Sequence, residues 1–95
     1  MLINKPFSRN DVVSVKLTTG EEFVARYGQQ TENTLEVEKP MCIVPQQNGM
    51  GLAPFMFTTV ETEYKFNMSH ILAVVATHPD IAKEYQEKTS SIQLS

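Results

Sequence analysis

Ninety-five residues, 41% hydrophobic and 20% charged, suit one small globular domain whose core removes only about 60–65% of the unfolded surface from water. The formal net charge of −3 argues against a surface built mainly to grip phosphate, and one cysteine, Cys42, rules out an intrachain disulfide and a cysteine-based zinc site. No run nears the ~18 apolar residues of a membrane helix, and MLINKPFSRN lacks the basic start and apolar stretch of a secretory leader, so a soluble, cytoplasmic protein is expected.

The first clear element begins near Val12. Val13, Val15 and Leu17 fall on one face of a period-two pattern, with Ser14 and Lys16 on the other. Thr18 to Glu21 reads as a tight turn in which Gly20 takes positive φ. Phe23, Ala25 and Tyr27 continue the inward phase. The small Ala25, followed by Gly28, predicts a second strand that bends over its own core.

GQQTENT is a polar turn, after which Leu35, Val37, Met41 and Ile43 resume strand character. Pro40 interrupts this third strand and predicts a bulge or an edge position, because proline donates no ladder hydrogen bond. PQQNGMG reads as the longest loop. A long fourth strand is expected from Phe55 and Phe57 through Val60, Thr62, Tyr64 and Phe66, with Glu61, Glu63 and Lys65 opposite. NMSH then makes a short connection to a fifth strand, ILAVVA.

THPDIAKEYQEKT carries helix signals: Thr77 or His78 as cap, Pro79 at the first helical position and Asp80 in the first turn. The fold class is therefore mainly β: a five-stranded bent, SH3-like barrel over about residues 12–76. A short C-terminal helix follows over about 79–88, and residues 89–95 are read as a frayed tail.

ILAVVA is unusual for a terminal strand. Such strands carry charges or prolines that prevent edge pairing, and this one is apolar on both faces. Two arrangements satisfy it. Either the strand is wholly covered inside its own chain, or it pairs with the long strand of another copy. Head-to-tail pairing of that kind repeats until a ring closes. The candidate interface comprises Tyr64, Phe66, Ile71, Leu72, Ala73, Val74 and Val75.

VVSVKLTTGEEFVARY resembles the opening signature of the Sm and Sm-like family, with Gly20, Phe23, Ala25 and Tyr27 at the family spacing. Ala25 stands where the family usually has a second glycine. FNMSHILAVV resembles the second Sm signature, and the likeness spans about Val12 to Val75. It resembles divergent, bacteriophage-type members more than the splicing set.

The resemblance implies a five-stranded barrel, a cyclic homo-oligomer built by fourth-to-fifth strand pairing, and single-stranded RNA bound at the pore by two short loops. Carried onto this chain, the candidates are Glu32, Asn33 and Thr34 in one loop and Lys65, Asn67, Met68 and His70 at the other. Asn67 and Met68 replace the family's Arg-Gly, which removes a phosphate-binding cation. Asn33 can pair with a base edge and equally serves as a turn residue. Met68 and His70 also suit packing and structural roles, and Lys65 suits a solvated face.

The alternative function is a scaffold ring whose acidic faces (Glu21, Glu22, Glu36, Glu38, Glu61, Glu63) meet a basic protein. No phosphate loop, metal-ligand spacing or nucleophile motif is present, so neither an enzyme nor a cofactor or metal site is expected.

Overall fold

The computed structural model describes residues 7–90. In chain order they form β1 (Val12–Leu17), β2 (Glu22–Gln30), β3 (Thr34–Gln46), β4 (Gly49–Pro54), β5 (Glu63–Asn67), a single 3-10 turn (Met68–His70), β6 (Ile71–Ala76) and α1 (Pro79–Ser90). All pairings are antiparallel. The strand order is β4-β3-β2-β1-β6, with β5 beside the first part of β3. The class is mainly β, as the alternation requires. The strands number six rather than five, and the sheet does not close, because β5 and β6 do not pair with each other.

The β1–β2 hairpin follows from its turn. Gly20 adopts φ 104°, a conformation that costs glycine little, and its N–H reaches the Leu17 carbonyl at 2.9 Å. The curvature of β2 against β3 has two local causes. At Gly28 an extra residue on β2 bulges the ladder, and an added Cβ there would lie 2.9 Å from the Glu36 carbonyl oxygen. At Lys39-Pro40 the extra residue is on β3, with Lys39 at φ 51°. Pro40 thus marks a bulge, as its missing donor predicts.

Three expectations change downstream of that bulge. The expected loop PQQNGMG is the tip of a hairpin: Gln46 pairs with Gly49 across a two-residue turn, and β3 runs on through Ile43 and Val44 to meet β4. The expected long strand from Phe55 to Phe66 is broken. The β3–β4 register would set Phe57 opposite Glu38, but Glu38 pairs with Glu63 instead. Six residues are therefore looped out. Phe57 (79% exposed) and Val60 (93%) project outward rather than into the core. The break coincides with the β3 bulge, where Phe55 N–H bonds the Pro40 carbonyl and Lys39 N–H bonds the Thr62 carbonyl. Finally, α1 continues to Ser90. Thr89 is buried, not frayed, and residues 91–95 of the expected tail lie outside the described residues.

Two clusters hold the fold. Val13, Val15, Leu17, Phe23, Ala25, Leu35, Val37, Ile71 and Val74 fill the concave side. Phe55 and Phe66 close one end of it by ring contacts with Phe23 at 5.5 and 5.0 Å. On the opposite face α1 lays Tyr85 and Ile81 over Val24, Leu52 and Met41. His78 caps the helix: its Nδ1 accepts the Asp80 N–H at 3.1 Å.

Candidate nucleic-acid interface and exposed strand edges

Two turns meet at one end of the sheet. In the β2–β3 turn the Thr31 hydroxyl accepts the Asn33 and Thr34 N–H groups at 3.2 and 3.0 Å, which fixes the loop without a long side chain. In the β5–β6 turn Asn67 Oδ1 accepts the Ser69 N–H at 2.9 Å and caps the 3-10 turn. The two turns are joined directly. Met68 N–H donates to the Asn33 carbonyl at 2.9 Å, and Thr34 pairs with Asn67 across β3 and β5. Asn33, Thr34, Asn67 and Met68 are thus neighbours although more than thirty positions separate them in the chain.

The remaining loop candidates are placed less centrally. Glu32 is exposed on the same β2–β3 turn. Lys65 pairs in register with Glu36 and lies exposed, one strand position beyond Phe66. His70 is exposed, and its carbonyl accepts the Thr18 N–H, which ties the 3-10 turn to the β1–β2 turn instead. Met68 is half-buried against the concave core, while Asn33 and Asn67 are exposed. At the loop base, Gln30 Oε1 is buried with no hydrogen-bond partner.

The candidate interface residues divide by face. Ile71 and Val74 are buried in their own core, and Tyr64 and Phe66 pack on it. Ala73 is half-buried, whereas Leu72 (57%) and Val75 (45%) are exposed. Among the described residues β6 pairs only with β1 and β5 only with β3, so each has an unpaired edge. Leu72 is the extra residue of a bulge between β1 and β6, which turns that side chain outward.

A second concave feature has no counterpart in the sequence reading. A cleft of about 380 Å³ lies between the looped-out segment, the β3 bulge and the end of α1. Tyr85 does not line it but is bonded to two residues that do, Lys39 and Thr89. Its hydroxyl donates to the Lys39 carbonyl at 2.8 Å and approaches the Glu38 carbonyl at 3.1 Å. The Arg26 guanidinium sits over the Tyr85 ring, 5.5 Å from its centroid, and donates to Thr89 Oγ1 at 2.8 Å. Burial pushes the Tyr85 phenol up to about 12, outweighing the lowering effect of Arg26. The only sequence sign of this region was the Lys39-Pro40 interruption, and it pointed to the bulge but not to the cleft.

Cys42 is half-buried against the concave core, and burial, with the Glu21 charge adding to it, raises its thiol above the usual range. Both effects disfavour the thiolate form, and the side chain packs against the core. Among the described residues no group of three His, Cys, Asp or Glu side chains gathers as a metal-ligand set, and no helix is long and apolar enough to cross a membrane.

No protein-family model matches the chain, and no curated protein matches it in sequence.

Proposed function

We propose that the protein is a divergent Sm-like subunit that assembles into a ring and binds single-stranded RNA at the joined turns. In this reading the open sheet is a half-closed SH3-like barrel, completed between molecules by β5 of one copy pairing with β6 of the next.

The observation that carries the reading is the hydrogen bond from Met68 to Asn33. It makes one surface of the two loops that the family resemblance assigns to RNA, and Asn33 and Asn67 stand exposed on it. Exposed asparagine amides can both donate to and accept from a base edge. Asn67 Oδ1 is committed to its cap, so its amide NH₂ is the group offered to a base. With no arginine in the turn, each subunit contributes a modest contact, and ring symmetry multiplies it into avidity. The unpaired edges of β5 and β6, with Leu72 and Val75 exposed, support the assembly half of the reading.

Size-exclusion chromatography with light scattering should give one species at a multiple of 10.7 kDa. Fluorescence anisotropy with short U-rich and A-rich RNAs at low salt should then show saturable binding that Asn33→Ala weakens. A 10.7 kDa species at working concentration would remove the ring. A ring blind to both RNAs would leave the scaffold function in its place.

A further inference from the structure

We propose that the cleft beside α1 binds a small amphiphilic anion: a carboxylate on an aliphatic or aromatic body, held by Lys39. The inference is independent of the ring and of RNA.

The cleft has the size of a small-molecule site, at about 380 Å³ against the roughly 300–1,000 Å³ such sites occupy. Its walls are Pro40, Met41, Pro54, Met56, Phe57 and Val60. Three of these belong to the looped-out segment or its start, and the loop leaves Phe57 and Val60 facing solvent. A connection between β4 and β5 needs no such apolar surface. Continuing the β3–β4 register would have omitted six residues, and it is these unpaired residues that supply Phe57 and Val60 to the wall.

The polar end of the cleft is built around Lys39. This residue is held in the left-handed region, at φ 51°, from three directions. Its N–H donates to the Thr62 carbonyl at 2.6 Å, its carbonyl accepts the Tyr85 hydroxyl at 2.8 Å, and its Nζ donates to the Thr89 carbonyl at 3.3 Å. A lysine there is unfavourable without such anchoring. The anchoring fixes an ammonium at one end of an apolar cleft. Among the described residues no carboxylate lies within ion-pairing distance of Lys39. Thr89 takes one of its three donors, and the others remain for a ligand. Arg26 lies outside the cleft and opposite Glu38 across the ladder, so the cation that the cleft's polar end rests on is Lys39. Glu61 lines the cleft as its single acid, and Lys88 also lines it. Apolar walls with a fixed cation at one end fit an anionic head on an apolar body.

The test is two-dimensional ¹H–¹⁵N NMR titration of the full chain with sodium octanoate, and in parallel with octan-1-ol, which shares the apolar body without the charge. Octanoate should shift the amides of Lys39, Phe57, Val60 and Thr89 saturably, and bind about tenfold more tightly than octanol, as one charge-assisted contact implies. Lys39→Asn tolerates the left-handed backbone and should bring octanoate down to the affinity of octanol. Val60→Asp, at a solvent-exposed position, should weaken both. The proposal is overturned if octanoate gives no saturable shifts, if they map elsewhere, if octanol binds equally well, or if Lys39→Asn binds octanoate as the parent does. Dispersion of the variant spectra shows whether each variant is folded. If Lys39→Asn is not, Lys39→Gly carries the same comparison.

Discussion

Replacing Tyr85 with phenylalanine isolates one hydroxyl that ties α1 to the β3 bulge. Tyr85 is fully buried, and its O–H is the hydrogen-bond donor to the Lys39 carbonyl, with the Glu38 carbonyl also within 3.1 Å. Tyr85→Phe keeps the ring over Val24 and Leu52 but leaves both carbonyls without that donor. The expected loss at pH 8 is about 1–3 kcal/mol. A pH dependence separates this from a generic packing defect. The phenol titrates near 10 when unfolded and is pushed up to about 12 in the fold. Its folded pKa is raised, so the associated stability is fully present below pH 10 and is lost as the pH climbs from 10 through 12. The unfolded chain releases the proton first, and by pH 11 the loss reaches about 1.4 kcal/mol. Tyr27, raised by burial as well, is present in both proteins and cancels in the comparison. Urea denaturation of parent and Tyr85→Phe should therefore show a gap that is widest near pH 8 and narrows steadily above pH 10. A gap constant to pH 11, or no gap at pH 8, would refute the assignment of the hydroxyl to these carbonyls.

Gly28→Ala brings a Cβ to 2.9 Å from the backbone oxygen of Glu36, which cannot move without breaking the ladder, so thermal unfolding should report a loss of about 1–3 kcal/mol. Lys39→Gly removes the cost of the left-handed conformation and should stabilise by about 0.5–1 kcal/mol in the same assay, while lowering octanoate to the affinity of octanol. Phe57→Ala and Val60→Ala strip exposed side chains and should stay within about 0.5 kcal/mol of the parent, by contrast with Val74→Ala in the concave core, expected to cost about 1.5–3 kcal/mol. Leu72→Arg should leave the circular-dichroism melt nearly unchanged, yet reduce the light-scattering mass to 10.7 kDa if β6 is the assembly edge.

The first half of the chain was readable because it obeys a single rule. Val13, Val15, Leu17, Phe23, Ala25, Leu35 and Val37 alternate with polar residues, and one core receives them all. Val24 broke the rule: its phase points it outward, yet it is 1% exposed because α1 covers that face. Alternation along a strand says which residues share a face, and only a distant segment decides whether the second face is also buried. The same limit explains the error over residues 55–66. Phe57 and Val60 stand at alternating, strand-like positions, but register is set by the partner strand, and the bulge at Lys39-Pro40 redirects it. The cleft was illegible for a related reason. Its walls come from β3, the looped-out segment and α1, which share no local motif. The joined turns were accessible only through the spacing of the two family-like signatures, since Asn33 and Asn67 are ordinary turn residues by composition.

The apolar ILAVVA strand divides its residues between two environments. Ile71 and Val74 satisfy the intramolecular demand, being 4% and 1% exposed in their own core. That accounts for one face. α1 was the obvious cover for the other, but it lies over Val24, Leu52 and Met41 and leaves Leu72 and Val75 exposed. The sheet treats its margins differently. β4 ends in Pro54, which donates no hydrogen bond, whereas the unpaired margin of β6 carries no proline and no charge. An edge left both unpaired and unguarded invites a strand, and among the described residues β5 offers a matching vacancy, its own outer edge being unpaired, while the free edge of β4 is the one that ends in Pro54. Although only the 3-10 turn separates them in the chain, β5 pairs with β3 and β6 with β1, and the two do not pair with each other. The pairing each lacks is therefore open to a second copy, and the solution mass by light scattering tests that pairing without reference to the likeness of signatures.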